Sequence, residues 1–200
     1  MQVYQHESYE EYKQANVDLN IKKLNRSIPE NRITPVCKFL KKNVSEIKNG
    51  ICHGVRNGKE VEFFCRSLNC DVIGTDISPT ANKFSNCIEW DFHNIKDEWV
   101  GYFDFVYSNA LDHSHSPEYC IYQWVRSLNE QGFLFIEWCV SIGHAIGSPP
   151  NKADCFAAKI DDFKLMLDGI NISYAYNFDC FIIKKQDVDM TKVKNKFENH

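Results

Sequence analysis

The sequence predicts an α/β domain: an open, mostly parallel sheet of seven strands, doubly wound, with helices on both faces in three layers. Three observations predict it. Short apolar runs at residues 50–53, 71–76, 87–92, 103–108 and 132–140 alternate with helical segments, the pattern of repeated βαβ units. The run 132–140 (GFLFIEWCV) is almost wholly apolar, as expected of a strand covered on both faces. Near the C-terminus, runs 172–177 and 180–185 flank Phe178-Asp179 and form an antiparallel closing pair.

Each element has its own local reason. Residues 8–25 read as a helix that is only loosely amphipathic, followed by a polar break containing Pro29. Thr34-Pro35 opens a second helix, a capping hydroxyl before a first-turn proline, with Val36, Phe39 and Leu40 on one face. Residues 50–76 form the central unit: a buried strand, a glycine turn (Gly54 to Gly58), a helix burying Val61, Phe64, Cys65 and Leu68, and a strand ending on Asp76. A short helix follows Ser78-Pro79. Strand 87–92 ends on Asp91 and Phe92, and strand 103–108 ends at Asn109. Ser116-Pro117 caps a helix whose apolar face is Cys120, Ile121, Trp124, Val125 and Leu128. Residues 141–154 are loop-like, 159–167 are helical and stop at Gly169, and the charged tail from 187 is expected to fray. The domain reading is a helical cap over 1–45, a core over 46–186 and a tail over 187–200.

Composition bounds the function. Two hundred residues suit one domain, and 44% hydrophobic with 25% charged residues is ordinary for a globular protein. A formal net charge of −4 gives no broad attraction for a polyanion, which disfavours nucleic acid as a partner. No apolar run has the length of a membrane span, and the polar N-terminus does not read as a signal peptide. The nine cysteines contain no C-x-x-C pair and several fall at apolar positions, so a reducing, cytoplasmic setting without disulfides or structural zinc is expected. The oligomeric state is open.

In a βαβ unit of this kind, glycines let backbone amides approach a ligand at the helix N-terminus. An acid about twenty residues on can accept both hydroxyls of a ribose. That places an adenosine-type cofactor at the carboxyl edge of the sheet, beside Gly54, Gly58, Asp76, Asp91 and residues 109–115. The turn does not supply G-x-G-x-x-G, so a nicotinamide-dependent oxidoreductase is the weaker reading.

The succession of the glycine turn, Asp76, Asp91-Phe92 and FDFVYSNALDHSHSPE (103–118) resembles the class I S-adenosylmethionine-dependent methyltransferases, whose core is Rossmann-like. It is most similar to their small-molecule type 11 branch, and LNEQGFLFI (128–136) matches that branch's segment before the fifth strand. The likeness spans about residues 50–140. It implies S-adenosyl-L-methionine as cofactor and methyl transfer to an oxygen or nitrogen of a small molecule or glycan unit. By the same resemblance, Gly54 and Gly58 are the outer glycines of the methionine-binding turn, with Arg56 and Asn57 between them. Asp76 would bind the ribose, Ile77 would lie beside the adenine, Asp91 would meet its exocyclic amine and Phe92 would cover its ring. Asn109 would face the methionine portion or the acceptor.

Two positions depart from the pattern. Cys52 stands where the family has an acid, and Arg56 where it has a middle glycine. Losing the acid removes a partner for the cofactor's ammonium. Arg56 either clamps its carboxylate or forms a surface ion pair. The alternative to an enzyme is therefore a catalytically inactive methyltransferase fold that serves as a binding protein or subunit. If the acceptor must lose a proton, the candidate bases are Asp112, His113, His115 and His144. Asp112 to His115 lacks a spaced third ligand, so no metal site is expected there. The fourth strand ends Ser-Asn-Ala-Leu and not Asn-Pro-Pro-Tyr, which disfavours an adenine or glutamine amino-methyltransferase.

Overall fold

The computed structural model describes residues 1–138 and 149–198. Along the chain run β1 (Gln2–Val3), α1 (Tyr9–Lys22), α2 (Glu30–Asn43), β2 (Asn49–His53), α3 (Lys59–Leu68), β3 (Asp71–Asp76), β4 (Cys87–Glu89) and β5 (Phe103–Ser108). They are followed by α4 (Pro117–Ser127), β6 (Leu128–Glu137), β7 (Phe156–Ala157), α5 (Ile160–Gly169), β8 (Ala175–Asn177), β9 (Cys180–Lys184) and α6 (Met190–Glu198). Seven strands form one sheet, the number the sequence predicts, in the order β4-β3-β2-β5-β6-β9-β8. Strands β4 to β6 in that order are parallel, and β9 runs antiparallel to both β6 and β8.

Side-chain alternation assigns the two faces. Ile51, Val106 and Leu134 point to the layer containing Ile121, Trp124 and Val125 of α4. Their neighbours Cys52, Phe105, Tyr107, Phe133 and Phe135 point to the opposite layer, against Val36 and Leu40 of α2 and Val61 and Phe64 of α3. A one-residue slip of any central strand would exchange these sets, so the register is strongly specified. The expected face of α4 is wholly buried at Cys120, Ile121, Trp124, Val125 and Leu128. Each large apolar side chain buried there contributes about 1.5–3 kcal/mol.

The sheet also fixes where a ligand can sit. The chain leaves β2 in both directions, through β3 on one side and β5 on the other, so the crevice opens at the carboxyl ends of β2 and β5. Gly54, with φ of 76°, turns the chain there, and a Cβ at that position would lie 2.3 Å from the Ala110 methyl. The β2 turn and the β5 end therefore touch, which only glycine permits.

Several boundaries differ from the sequence reading. Helix α2 begins at Glu30, with Pro29 as its cap and Pro35 inside it. The Thr34 hydroxyl donates back to the Glu30 carbonyl at 2.8 Å, so it does not cap. Pro35 is past the first turn, so its missing N–H removes the intrahelical bond to the Asn31 carbonyl. Strand β4 stops at Glu89, before Asp91, while β6 starts at Leu128; residues 139–140 lie outside the described residues. Helix α5 does end at Gly169, but the left-handed residue after it is Asn171, with φ of 58°. Phe178 and Asp179 both take positive φ, a tight turn joining β8 to β9. The tail expected to fray instead carries α6, whose Val193 is fully buried and whose Phe197 stacks on Tyr122 at 5.1 Å. Charge hid two apolar contacts at helical spacing.

Among the described residues, no helix is long and apolar enough to cross a membrane. The cysteines described are free thiols, most of them buried.

Candidate active site

A cavity of about 620 Å³ opens at the carboxyl edge of β2, β3 and β5. Its size is that of a small-molecule or cofactor site. The glycine turn forms its floor. The amides of Gly54 and Val55 both donate to the Thr75 carbonyl, at 2.8 and 3.1 Å. The Arg56 amide donates to Asp76 Oδ2 at 2.8 Å. Arg56 has φ of 49°, the left-handed region that a middle glycine would occupy without strain. The turn is thus laced to the end of β3.

Asp76 is 2% exposed and lines the cavity. Its Oδ1 accepts from the Ser78 amide at 2.9 Å and from Asn20 Nδ2 at 2.6 Å. Burial pushes its carboxyl above the usual value, opposed by the Ser78 and Arg56 amides and the Arg56 charge. Arg56 Nε in turn donates to Asn20 Oδ1 at 3.1 Å. Asn20 therefore sits between the acid and the guanidinium, held by α1.

That helix supplies lining side chains that the sequence reading did not name as site residues. Tyr12, Asn16 and Asn20 recur every four residues and all line the cavity, with Lys23 and Arg26 following. A helix whose inner stripe is polar looks unpatterned when only apolar residues are counted. The stripe itself was the available signal.

The other candidates separate into two groups. Gly54, Arg56, Asp76, Ile77, Phe92, Asn109, Asp112 and His113 line the cavity. Asn57 is turned away, its amide donating to the Leu24 and Arg26 carbonyls at 2.8 and 3.1 Å and tying the α1–α2 connection to the turn. Gly58 packs against Cys87, where a Cβ would lie 2.7 Å from the sulfur. Asp91 is outside the lining: Tyr9 donates to its Oδ2 at 2.9 Å, and the His93 amide and ring meet its Oδ1 at 3.0 and 2.7 Å. Burial alone would raise its carboxyl, but His93 outweighs that and holds it at about 2. His115 stacks on His93 at 4.1 Å, exposed and away from the lining. His144 lies outside the described residues.

His113 has a carboxylate on each edge of its ring. Nε2 is 3.8 Å from Asp112 Oδ1, and Nδ1 is 3.6 Å from Asp154 Oδ1 and 2.8 Å from the Ala153 carbonyl oxygen. The fold brings in Asp154 from far along the chain, a third potential ligand that sequence spacing could not show. The hydrogen bond that ties the residues after β5 to the segment before β7 is the one between His113 Nδ1 and the Ala153 carbonyl, and both carboxylates lie beyond hydrogen-bond distance of the ring.

Glu60 is a further lining residue that was not foreseen. It sits in the first turn of α3, 6% exposed, with Oε1 accepting from Asn109 Nδ2 at 3.2 Å. Burial pushes its carboxyl up to about 7, against the Asn109 amide and the Arg56 charge.

Strand order, antiparallel β9 and a crevice beside β2 together make this the class I methyltransferase fold. No family model matches the sequence, and no curated protein matches it. Solved structures do match. A Burkholderia thailandensis 1,6-didemethyltoxoflavin-N1-methyltransferase, with its substrate and S-adenosylhomocysteine bound, superposes with a TM-score of 0.67 at 13% identity, over 92% of this chain and 93% of that one. The plantazolicin methyltransferase BpumL, in complex with a pentazolic desmethylPZN analog and S-adenosylhomocysteine, gives 0.60 at 17% identity, over 83% and 80%.

Proposed function

We propose that this protein transfers the methyl group of S-adenosyl-L-methionine to an oxygen or nitrogen of a small molecule or glycan unit. The observation that carries the reading is Asp76: a buried carboxylate at the end of β3, facing a cofactor-sized cavity beside the glycine turn. In this reading each part of the cofactor has a partner in the lining. Asp76 would accept from the ribose, Ile77 and Phe92 would flank the adenine, and Arg56 would meet the carboxylate of the amino-acid end. The similar proteins of known structure hold S-adenosylhomocysteine, which supports the same choice.

When bound, the cofactor supplies an already activated methyl group, so the chain's task is alignment. Holding donor and acceptor in line can account for about 7–11 kcal/mol of the barrier. The polar stripe of α1 and the segment 149–154 wall the outer part of the cavity, where an acceptor would lie. His113, between Asp112 and Asp154 and in the cavity lining, would take a proton from an acceptor hydroxyl. A base in that role adds about 10²–10⁴-fold.

Asp76→Ala is expected to weaken S-adenosylmethionine binding by about 1.5–3 kcal/mol, since charge-assisted hydrogen bonds are lost. Calorimetry on protein shown to be folded by circular dichroism measures this. Unchanged affinity would remove the ribose assignment.

A further inference from the structure

We propose that Glu60 forms an ammonium-binding subsite in the cavity and takes the amino group of the cofactor's amino-acid end, replacing the acid that is absent at Cys52. The inference rests on the cofactor reading above and adds a residue to it. Its basis is a carboxylate oxygen that the fold does not use. Glu60 Oε2 is buried and has no hydrogen-bond partner among the described residues, while the neighbouring glutamate of the same helix, Glu62, is solvent-exposed. An acid in the first turn of a helix normally points to water, where it costs nothing. Here it is turned inward to line the cavity, with one oxygen on Asn109 and the other unpaired. A buried unpaired oxygen is expensive, and such groups persist where a ligand supplies the missing donor.

Position identifies the donor. Cys52 is fully buried near the end of β2 and close enough to Glu60 for the carboxylate to push its thiol pKa up, after burial itself. Glu60, at the start of α3, therefore lies in the neighbourhood of Cys52, the position where the family has its acid. Arg56 lies near enough to act on the same carboxylate, so the two residues present opposite charges at one end of the cavity. A zwitterionic amino-acid group has matching charges. Arg56 suits its carboxylate, and the free oxygen of Glu60 suits its ammonium.

Titration calorimetry of wild type and Glu60→Gln with three probes tests this. S-adenosylhomocysteine carries ammonium and carboxylate, decarboxylated S-adenosylmethionine keeps only the ammonium, and 5′-methylthioadenosine has neither. Glu60→Gln should weaken the first two by about 10- to 100-fold, the range of one charge-assisted hydrogen bond. The third should bind as in wild type. Equal loss on all three would assign Glu60 to the shape of the turn and overturn the proposal. No loss on any would overturn it too, while wild-type binding of 5′-methylthioadenosine left the adenosine site standing. Wild type that binds none of the three would overturn the cofactor reading and the subsite with it.

Discussion

Arg32→Ala is expected to destabilise the fold by about 3–5 kcal/mol, the cost of leaving a buried charge without its partner. Glu137, at the end of β6, is 2% exposed, and Arg32 Nη2 lies 2.6 Å from its Oε1. Tyr107 donates its hydroxyl to the other carboxylate oxygen. Burial raises the Glu137 carboxyl, and Tyr107 and Arg32 oppose that rise. Removing the guanidinium takes the countercharge from a buried carboxylate. Urea denaturation should show a lower midpoint with little change in slope. The double variant Arg32→Met, Glu137→Gln should recover most of the loss, because neither charge then needs solvating. A loss below about 1 kcal/mol would class the pair with surface ion pairs.

Glu60→Gln should have the opposite effect on stability, and only at the alkaline side. The Glu60 carboxyl is raised from 4.5 to about 7 in the fold. Between those values the folded state holds a proton that the unfolded chain has released, so wild-type stability falls as pH rises through that window. Above it the penalty is complete: at 1.36 kcal/mol per pKa unit, it amounts to about 3 kcal/mol. Glutamine carries no charge and escapes it. The variant should therefore match wild type below about pH 4.5 and exceed it above about pH 7, by up to about 3 kcal/mol. Arg56 and Glu137 also act on this carboxyl, so both must be retained in the comparison. Stability profiles of the two proteins that stayed parallel across the whole pH range would contradict the assignment. A variant that gains stability while losing ligand affinity is what a strained binding residue produces.

The sheet was legible because its strands obey one period and its turns carry their own chemistry. Residues 50–53, 71–76 and 103–108 are short apolar runs closed by Gly54, Asp76 and Asn109, and each became a strand at those positions. The face of α4 was legible for the same reason. What failed to show was polar and inward-facing. Tyr12, Asn16 and Asn20 line a cavity, so α1 lacks the apolar stripe by which surface helices are recognised. Glu60 looked like one more first-turn acid of α3, since nothing local says that its oxygen will be buried. Asp154 meets His113 because its neighbours Ala153 and Cys155 pack against that residue, a contact across 41 positions of chain. Asp91 shows the converse: a strand-end acid in sequence, it is engaged by Tyr9 and His93, one of them from a helix that precedes the core. Local pattern reads elements well. It reads poorly which side chains distant elements bring face to face.

The central claim is that the cavity beside β2 holds an adenosylated amino acid. The most direct measurement is a calorimetric titration of the wild-type protein with S-adenosylhomocysteine, run alongside nicotinamide adenine dinucleotide. The account predicts saturable one-to-one binding of the first, abolished or strongly weakened by Asp76→Ala, and no heat above dilution from the second. Saturable binding of the dinucleotide with none of S-adenosylhomocysteine would contradict it.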